Sequence, residues 1–251
     1  MATIALGSSR YEIDLVVLDK DGTLIDFYHL WGERARLGVE AVTARLGGDA
    51  PLAERLYRSI GYDPVSGRAA ASGPLAIASM PKLYTVCAVV LYQHGLDWHE
   101  AERVAQETFA GALGALPTAD VVKPIGTPRA LCERLRAAGV KIALVTSDDR
   151  VPTLETLRLL GISEHVAEIV CGDDPIPNKP APDALLHLSR SLSVPLSRVM
   201  MVGDTLGDMA TGRNAGIACC AAVLSGTGRA AELAGAADAV IPSIAAIEVV
   251  G

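Results

Sequence analysis

Asp14-Leu15-Val16-Val17-Leu18, followed at once by Asp19-Lys20-Asp21-Gly22-Thr23, is the stretch whose reading decides the fold. A short unbroken apolar run has no polar face, so it belongs in a sheet covered on both sides. It stops at a polar, glycine-containing turn, as a buried parallel strand does at its carboxyl end. Further strands are predicted at 140–145, 167–171, 198–202, 217–223 and 239–241. Helical spacing of apolar residues fills the intervals at 127–138, 151–160, 182–192, 207–214 and 229–234, and Gly139, Gly161 and Gly216 stand where three of these helices should close. Strand and helix alternate, which predicts an α/β fold with a doubly wound parallel sheet.

The interval after the first strand is different. Between Asp26 and about Val121 the pattern is helical throughout, at 29–46, 51–59, 74–94 and 97–116, punctuated by Gly61-Tyr62-Asp63-Pro64 and Ser72-Gly73-Pro74. The expectation is a core of residues 1–25 and 122–251, interrupted by a second, smaller, all-helical domain at 26–121.

Half of the 251 residues are hydrophobic but only 4% are aromatic, which suits small-residue helices on a Val/Ile-rich sheet. A net charge of −7 argues against a general nucleic-acid binder, which needs a basic surface to meet phosphates. It leaves room for a small phosphorylated metabolite, because a local cationic site can work on an acidic protein. Cys87, Cys132, Cys171, Cys219 and Cys220 show no C-x-x-C pairing, and they are expected to be buried thiols in a reducing compartment. The start lacks the basic, apolar pattern of a signal peptide. The apolar stretch at 217–224 falls short of the ~20 residues that span a bilayer. A cytoplasmic protein without membrane or nucleic-acid partner is expected, as monomer or homodimer.

In open α/β sheets ligands bind at the carboxyl ends of the strands. Four polar clusters fall there: Asp19-Lys20-Asp21-Gly22-Thr23, Thr146-Ser147-Asp148-Asp149, the loop leading to Lys179, and Gly203-Asp204-Thr205-Leu206-Gly207-Asp208. Asp19, Asp21, Asp204 and Asp208 would crowd negative charge at one rim, and packed carboxylates stay ionised only beside a cation. An all-oxygen set suits Mg²⁺, and no histidine or cysteine lies in the clusters to suggest zinc. A metal, a lysine and a hydroxyl around one carboxylate make a phosphoryl-transfer site. Asp19 could then attack phosphorus, Asp21 could serve as acid and base, and Thr146 and Lys179 could hold the transferring group. Gly22 allows the sharp turn, and Thr23 is expected to fix it.

The D-K-D-G-T run, the hydrophobic strand ending in Thr146, Lys179 within N-K-P-A-P-D, and G-D-T-L-G-D stand in this order along the chain. Together they resemble the haloacid dehalogenase superfamily of phosphohydrolases, and the insertion resembles the helical C1-type cap of its phosphoglycolate-phosphatase-like subgroup. That resemblance implies Asp19 as nucleophile and metal ligand, and Asp21 as acid/base whose backbone carbonyl also meets Mg²⁺. It implies Asp204 as a second metal carboxylate, and Asp208 acting through water or by holding Lys179. Thr146, with Ser147 beside it, and Lys179 would bind the phosphoryl group. A carboxylate at Asp21 favours phosphatase over dehalogenase, and phosphoglycolate is the first substrate that the resemblance suggests.

Two departures stand out. Lys20 is a cation between the two aspartates, and the strand pleat is expected to turn it away from both. Ser147 and Asp148 follow Thr146 where an amide residue is often seen. Ordinary roles compete at each position: aspartates as turn or cap residues, Asp208 as a first-turn helix acid, Thr146 and Ser147 as caps of the following helix. His29, His94, His99, His165 and His187 are scattered. Tyr28 and His29 open the insertion and could face a substrate, and Arg34, Arg36, Arg68 or Lys82 could meet a second anionic group or simply be surface charge. Rival functions are a sugar-phosphate mutase, a phosphonate hydrolase using Lys82, and a non-enzymatic phospho-acceptor module.

Overall fold

A computed structural model describes residues 2–114 and 118–250. The chain forms two compact units, Met1–Asp26 with Lys123–Gly251, and Phe27–Val122. In chain order the strands and helices are β1 (Ala2–Leu6), β2 (Ser9–Ile13), β3 (Leu15–Leu18), α1 (Phe27–Arg45), α2 (Ala50–Ile60), β4 (Tyr62–Asp63), β5 (Arg68–Ala69), α3 (Pro74–Ile77), α4 (Met80–Gln93), α5 (Trp98–Gly114) and α6 (Thr118–Val121). They continue with α7 (Pro128–Ala137), β6 (Lys141–Val145), α8 (Arg150–Leu159), β7 (Glu168–Val170), α9 (Asp183–Ser191), β8 (Val199–Gly203), α10 (Leu206–Ala215), β9 (Cys219–Val223), α11 (Ala230–Ala236), β10 (Ala239–Ile241) and β11 (Ile247–Val250).

In the first unit, a six-stranded sheet is ordered β10-β9-β8-β3-β6-β7, and every neighbouring pair is parallel. The doubly wound sheet expected from the alternation is therefore present. Its central strand β3 is buried at every residue, as its unbroken apolar run requires. Leu15 and Val17 join Ala143, Val145, Met201 and Leu188 of α9 in one core cluster. Each Leu, Val or Met side chain among them contributes roughly 1.5–3 kcal/mol by leaving water. The chain runs outward from β3 in both directions, so the winding reverses between β3 and its neighbour β8. Such a reversal leaves a crevice at the strands' carboxyl ends.

A second sheet was not anticipated. β1, β2 and β11 form an antiparallel set in the order β11-β1-β2. β1 and β2 make a tight hairpin in which Leu6 pairs with Ser9, and Gly7 takes φ 60° in the turn. β11 adds to the other side of β1, so the two ends of the chain meet in one sheet.

The second unit is built from helices, with α1 packed on α5, α4 on α5 and α2 on α4. It is not wholly helical: β4 and β5 pair antiparallel through Tyr62↔Ala69 and Asp63↔Arg68. Asp63 holds that turn by accepting from the Val65 amide (2.9 Å) and the Ser66 hydroxyl (2.6 Å). The helix expected at 74–94 is two helices, because Pro81 supplies no amide for a preceding carbonyl and starts α4 instead. Of the helix expected at 97–116, residues 115 and 116 lie outside the described residues. No helix among the described residues is long and apolar enough to cross a membrane.

All five cysteines are free and buried. Burial pushes the thiols up, Cys87 and Cys219 to about 12 and Cys132, Cys171 and Cys220 to about 11. Thiolate is the reactive form, so all five should be inert in the folded protein. An aromatic disulfide reagent at pH 8 should titrate no fast-reacting thiol in native buffer and five in guanidinium. Rapid reaction of any of them in native buffer would contradict this packing.

Candidate active site

The loop after β3 turns so tightly that the amides of Thr23, Leu24 and Ile25 all approach the Lys20 carbonyl, at 3.4, 2.8 and 3.2 Å. Gly22 makes the turn with φ 85°, and a Cβ there would lie 2.6 Å from Asp204 Oδ2. Thr23 does not fix the loop as expected, because its hydroxyl is buried without a partner. The Asp19 amide bonds the Val202 carbonyl of β8 at 2.9 Å, which seats the first aspartate at the reversal point.

Asp19 is 6% exposed. Lys179, in the loop between β7 and α9, donates to Asp19 Oδ1 and to Asp208 Oδ1, each at 2.6 Å. Asp208 lies in the first turn of α10, where its Oδ2 accepts from the Thr205 amide (3.0 Å) and hydroxyl (2.6 Å). Its own amide bonds Thr205 Oγ1 at 3.2 Å, completing a capping box. Asp208 thus caps a helix with one oxygen and bonds a lysine with the other.

Asp204, 1% exposed, follows β8. Its Oδ2 accepts from the Thr227 amide (2.7 Å) and hydroxyl (3.2 Å), whereas its Oδ1 is buried without a partner. Oxygens of Asp19, Asp204 and Asp208 lie within 4.8 Å of one another. An orphaned carboxylate oxygen among carboxylate oxygens alone is a donor set that fits a hard divalent cation.

Electrostatics agree with this crowding. Burial pushes Asp19 up to about 7, with Asp208 and Asp21 adding to the rise and Lys179 opposing it. Burial also raises Asp204 well above the ordinary carboxylate range, and Asp19 and Asp208 raise it further. Burial works against the charged Lys179 amine, but Asp19 and Asp208 outweigh it and its pKa is raised.

The remaining candidates lie nearby on neighbouring strands. Thr146, buried at the end of β6, accepts from the Asp148 amide at 3.1 Å, which leaves its hydroxyl proton to donate elsewhere. It does not cap α8: the residue at that position is Asp149, with no side-chain cap. Ser147 is half-buried beside it. Arg150 ties this loop to the one after β7, through Asp174 at 2.6 Å. Asn178 bonds the Gly172 carbonyl at 3.2 Å, on the approach to Lys179.

Lys20 departs from expectation. It is fully buried, and its amine contacts Asp21 Oδ2 at 2.9 Å and Asp148 Oδ2 at 2.7 Å. The pleat sets where a side chain leaves the strand, but four methylenes let this one curl back to Asp21. Asp21 contacts that amine and is not among the three carboxylates whose oxygens converge.

Thr227 and its flanking glycines also close on Asp204, which the sequence does not lead one to expect. A Cβ on Gly226 would lie 2.0 Å from Asp204 Oδ2, so only glycine lets this loop close on the aspartate. Ser225-Gly226-Thr227-Gly228 follows an apolar strand, which was the available signal. Within the other unit, Arg34 is buried with its guanidinium 5.0 Å from the Trp31 ring centre, and Arg36 is tied to Glu33 and Glu40. Arg68 lies 4.6 Å from the Tyr28 ring centre, and Lys82 is exposed on α4.

The sequence model of the haloacid dehalogenase-like hydrolases matches residues 13–216. This chain belongs to that family. It is 30% identical over 217 residues to a phosphoglycolate phosphatase of Pseudomonas fluorescens, covering 82% of this chain and 68% of that one. It is 34% identical over 113 residues to a plasmid-encoded phosphoglycolate phosphatase of Cupriavidus necator, covering 45% of this chain. That second match spans only about half of the relative, 49% of its length. Among solved structures, a predicted phosphoglycolate phosphatase from Haemophilus somnus superposes with a TM-score of 0.69 at 17% identity, over 95% of this chain and 97% of that one. A hydrolase from Pseudomonas syringae gives 0.62 at 22% identity, over 92% and 94%. At these identities the structural likeness concerns the fold.

Charge crowding at Asp204 carries a testable consequence. Two like charges ~4 Å apart repel by about 1 kcal/mol in water and about 4 kcal/mol at an effective dielectric of 20. Asp204→Asn should therefore be at least as stable as the parent in chelator, measured by urea unfolding at pH 7.5. A clear loss of stability there would mean that the carboxylates do not repel as the geometry requires.

Proposed function

We propose that the chain is a Mg²⁺-dependent phosphatase that hydrolyses a small phosphate monoester through an aspartyl-phosphate on Asp19. The observation that carries this is the Lys179 amine bridging Asp19 and Asp208 beside the unpartnered oxygen of Asp204. Family membership and the names of the phosphoglycolate phosphatase relatives support it.

Asp19, Asp204 and Asp208, with the Asp21 backbone carbonyl, would hold Mg²⁺. When bound, the ion neutralises phosphate oxygens and keeps the clustered carboxylates ionised. A carboxylate oxygen of Asp19 attacks phosphorus and a P–O bond forms as the ester P–O bond breaks. Asp21 gives its proton to the departing oxygen, and the alcohol leaves. Asp21, now a carboxylate, takes a proton from water. The water oxygen bonds to phosphorus, the Asp19–phosphorus link breaks, and inorganic phosphate and the free carboxylate are restored. Lys179 orients Asp19 and offsets charge on the transferring group. Thr146 donates its hydroxyl proton to a phosphoryl oxygen, and Ser147 adds a second polar group. Asp208 keeps Lys179 in place.

Phosphoglycolate is the substrate to try first. Five buried thiols and the absence of a membrane-spanning helix among the described residues suit a reducing cytoplasm.

Asp19→Asn should lower Mg²⁺-dependent phosphate release from phosphoglycolate and p-nitrophenyl phosphate by on the order of 10⁴-fold or more, as loss of a nucleophile does. Retained turnover in that variant would overturn the assignment. Mg²⁺ at a hundredfold excess over its Kd should stabilise the parent by about 2.7 kcal/mol. Melts with and without chelator check this, and the increment should vanish in Asp204→Asn.

A further inference from the structure

We infer that Lys20 is a positioning residue for the acid–base carboxyl of Asp21, with Asp148 as its counter-charge. The inference rests on the phosphatase reading. Its support is geometric. Lys20 is 0% exposed, and its one amine is shared between Asp21 Oδ2 at 2.9 Å and Asp148 Oδ2 at 2.7 Å. Asp148 is itself buried, and its other oxygen accepts from the Asp149 amide at 2.8 Å, so it is a fixed anchor. The Asp148 amide in turn bonds Thr146 Oγ1 at 3.1 Å. One ammonium thus joins the loop after β3, with the two catalytic aspartates, to the loop after β6, with the phosphate-binding hydroxyl. The two strands are sheet neighbours, Leu18 paired with Leu144, so the link is short.

The two departures noted in the sequence, a cation at 20 and an acid at 148, are therefore one feature. They act on opposite sides of a single ion pair. Two lysines sort the rim carboxylates: Lys179 takes Asp19 and Asp208, and Lys20 takes Asp21 and Asp148. Asp21 thus has a different ammonium from the one that Asp19 and Asp208 share. A buried ion pair is weak evidence of a stabilising role, because well-packed apolar residues commonly replace one without loss. The contact bears directly on the geometry of the carboxyl that it holds.

The test uses leaving groups of different need. An alkyl phosphate such as phosphoglycolate expels a poor alkoxide that must be protonated, whereas p-nitrophenolate departs without a proton. Values of kcat/KM read only the steps through release of the alcohol, where Asp21 acts as acid. In the full chain with Mg²⁺, Lys20→Met should lower kcat/KM on phosphoglycolate about 100-fold and on p-nitrophenyl phosphate less than about threefold. Lys20→Arg should recover part of the loss. Because Lys20→Met leaves Asp148 buried and unpaired, Lys20→Met with Asp148→Asn is measured alongside and should show the same split. Equal losses on both substrates, or an unchanged rate on phosphoglycolate, overturn the inference. Failure of both variants to fold makes Lys20 a structural residue and overturns it too. An unmodified protein that hydrolyses neither ester points instead to failure of the phosphatase reading.

Discussion

Like charges held together out of water are the constraint on which the rest of this structure depends. Asp19, Asp204 and Asp208 converge at the carboxyl edge of the sheet, all buried, with a single ammonium touching two of them. Left alone, such a cluster favours neutral carboxyls over the ionised forms, as the raised pKa values of Asp19 and Asp204 express. It persists because the surroundings hold each carboxylate: Lys179 on Asp19, the α10 capping box on Asp208, the Thr227 loop on Asp204. Oδ1 of Asp204 is buried and unbonded, a place where a cation has much to offer.

The sheet topology explains why residues so far apart in the chain meet. β3 lies between β6 and β8, and the chain reaches each by a different direction of winding. The loops after β3 and β8 are thereby adjacent at the reversal, and the loops after β6 and β9 flank them. Each loop brings what its strand end allows: the Asp19–Asp21 turn, Asp204 with Asp208, Thr146 with Asp148, and Thr227. Glycine is needed where two loops nearly touch, as Gly226 shows against Asp204. Shape and chemistry here have one origin in the strand order.

Much of this was legible in the sequence, for a physical reason. Fully buried strands such as β3, β8 and β9 leave unmistakable apolar runs, and polar clusters at their ends mark the ligand-binding edge. β1 and β11 were missed because they are short, at five and four residues, and β2 because its mixed polarity, Ser9–Ile13, carries little periodic signal. β4 and β5 are two-residue pairs held by an aspartate turn and leave less still. Lys20 was misplaced for another reason. Backbone alternation fixes the direction of Cβ, but the end of a long side chain goes to its partner, and Asp148 is remote in sequence. Thr227 escaped because its role depends on a glycine-permitted approach that spacing does not encode.

The same groups that would carry the reaction also hold the fold at this edge, and the balance between the two demands differs by residue. Asp208 serves both with separate oxygens, so capping and lysine placement reinforce each other. Asp204 is divided: Oδ2 anchors a loop while Oδ1 is stranded among negative charges. Lys20 and Asp148 form the opposite case, a buried pair whose charges cancel and whose structural part apolar residues could play. A rim built for folding alone would keep the capping box and drop both the stranded oxygen and the buried pair. Keeping all three is what a site must do when its carboxylates need separate tasks, one group near a cation and another apart from it with a fixed direction for its proton.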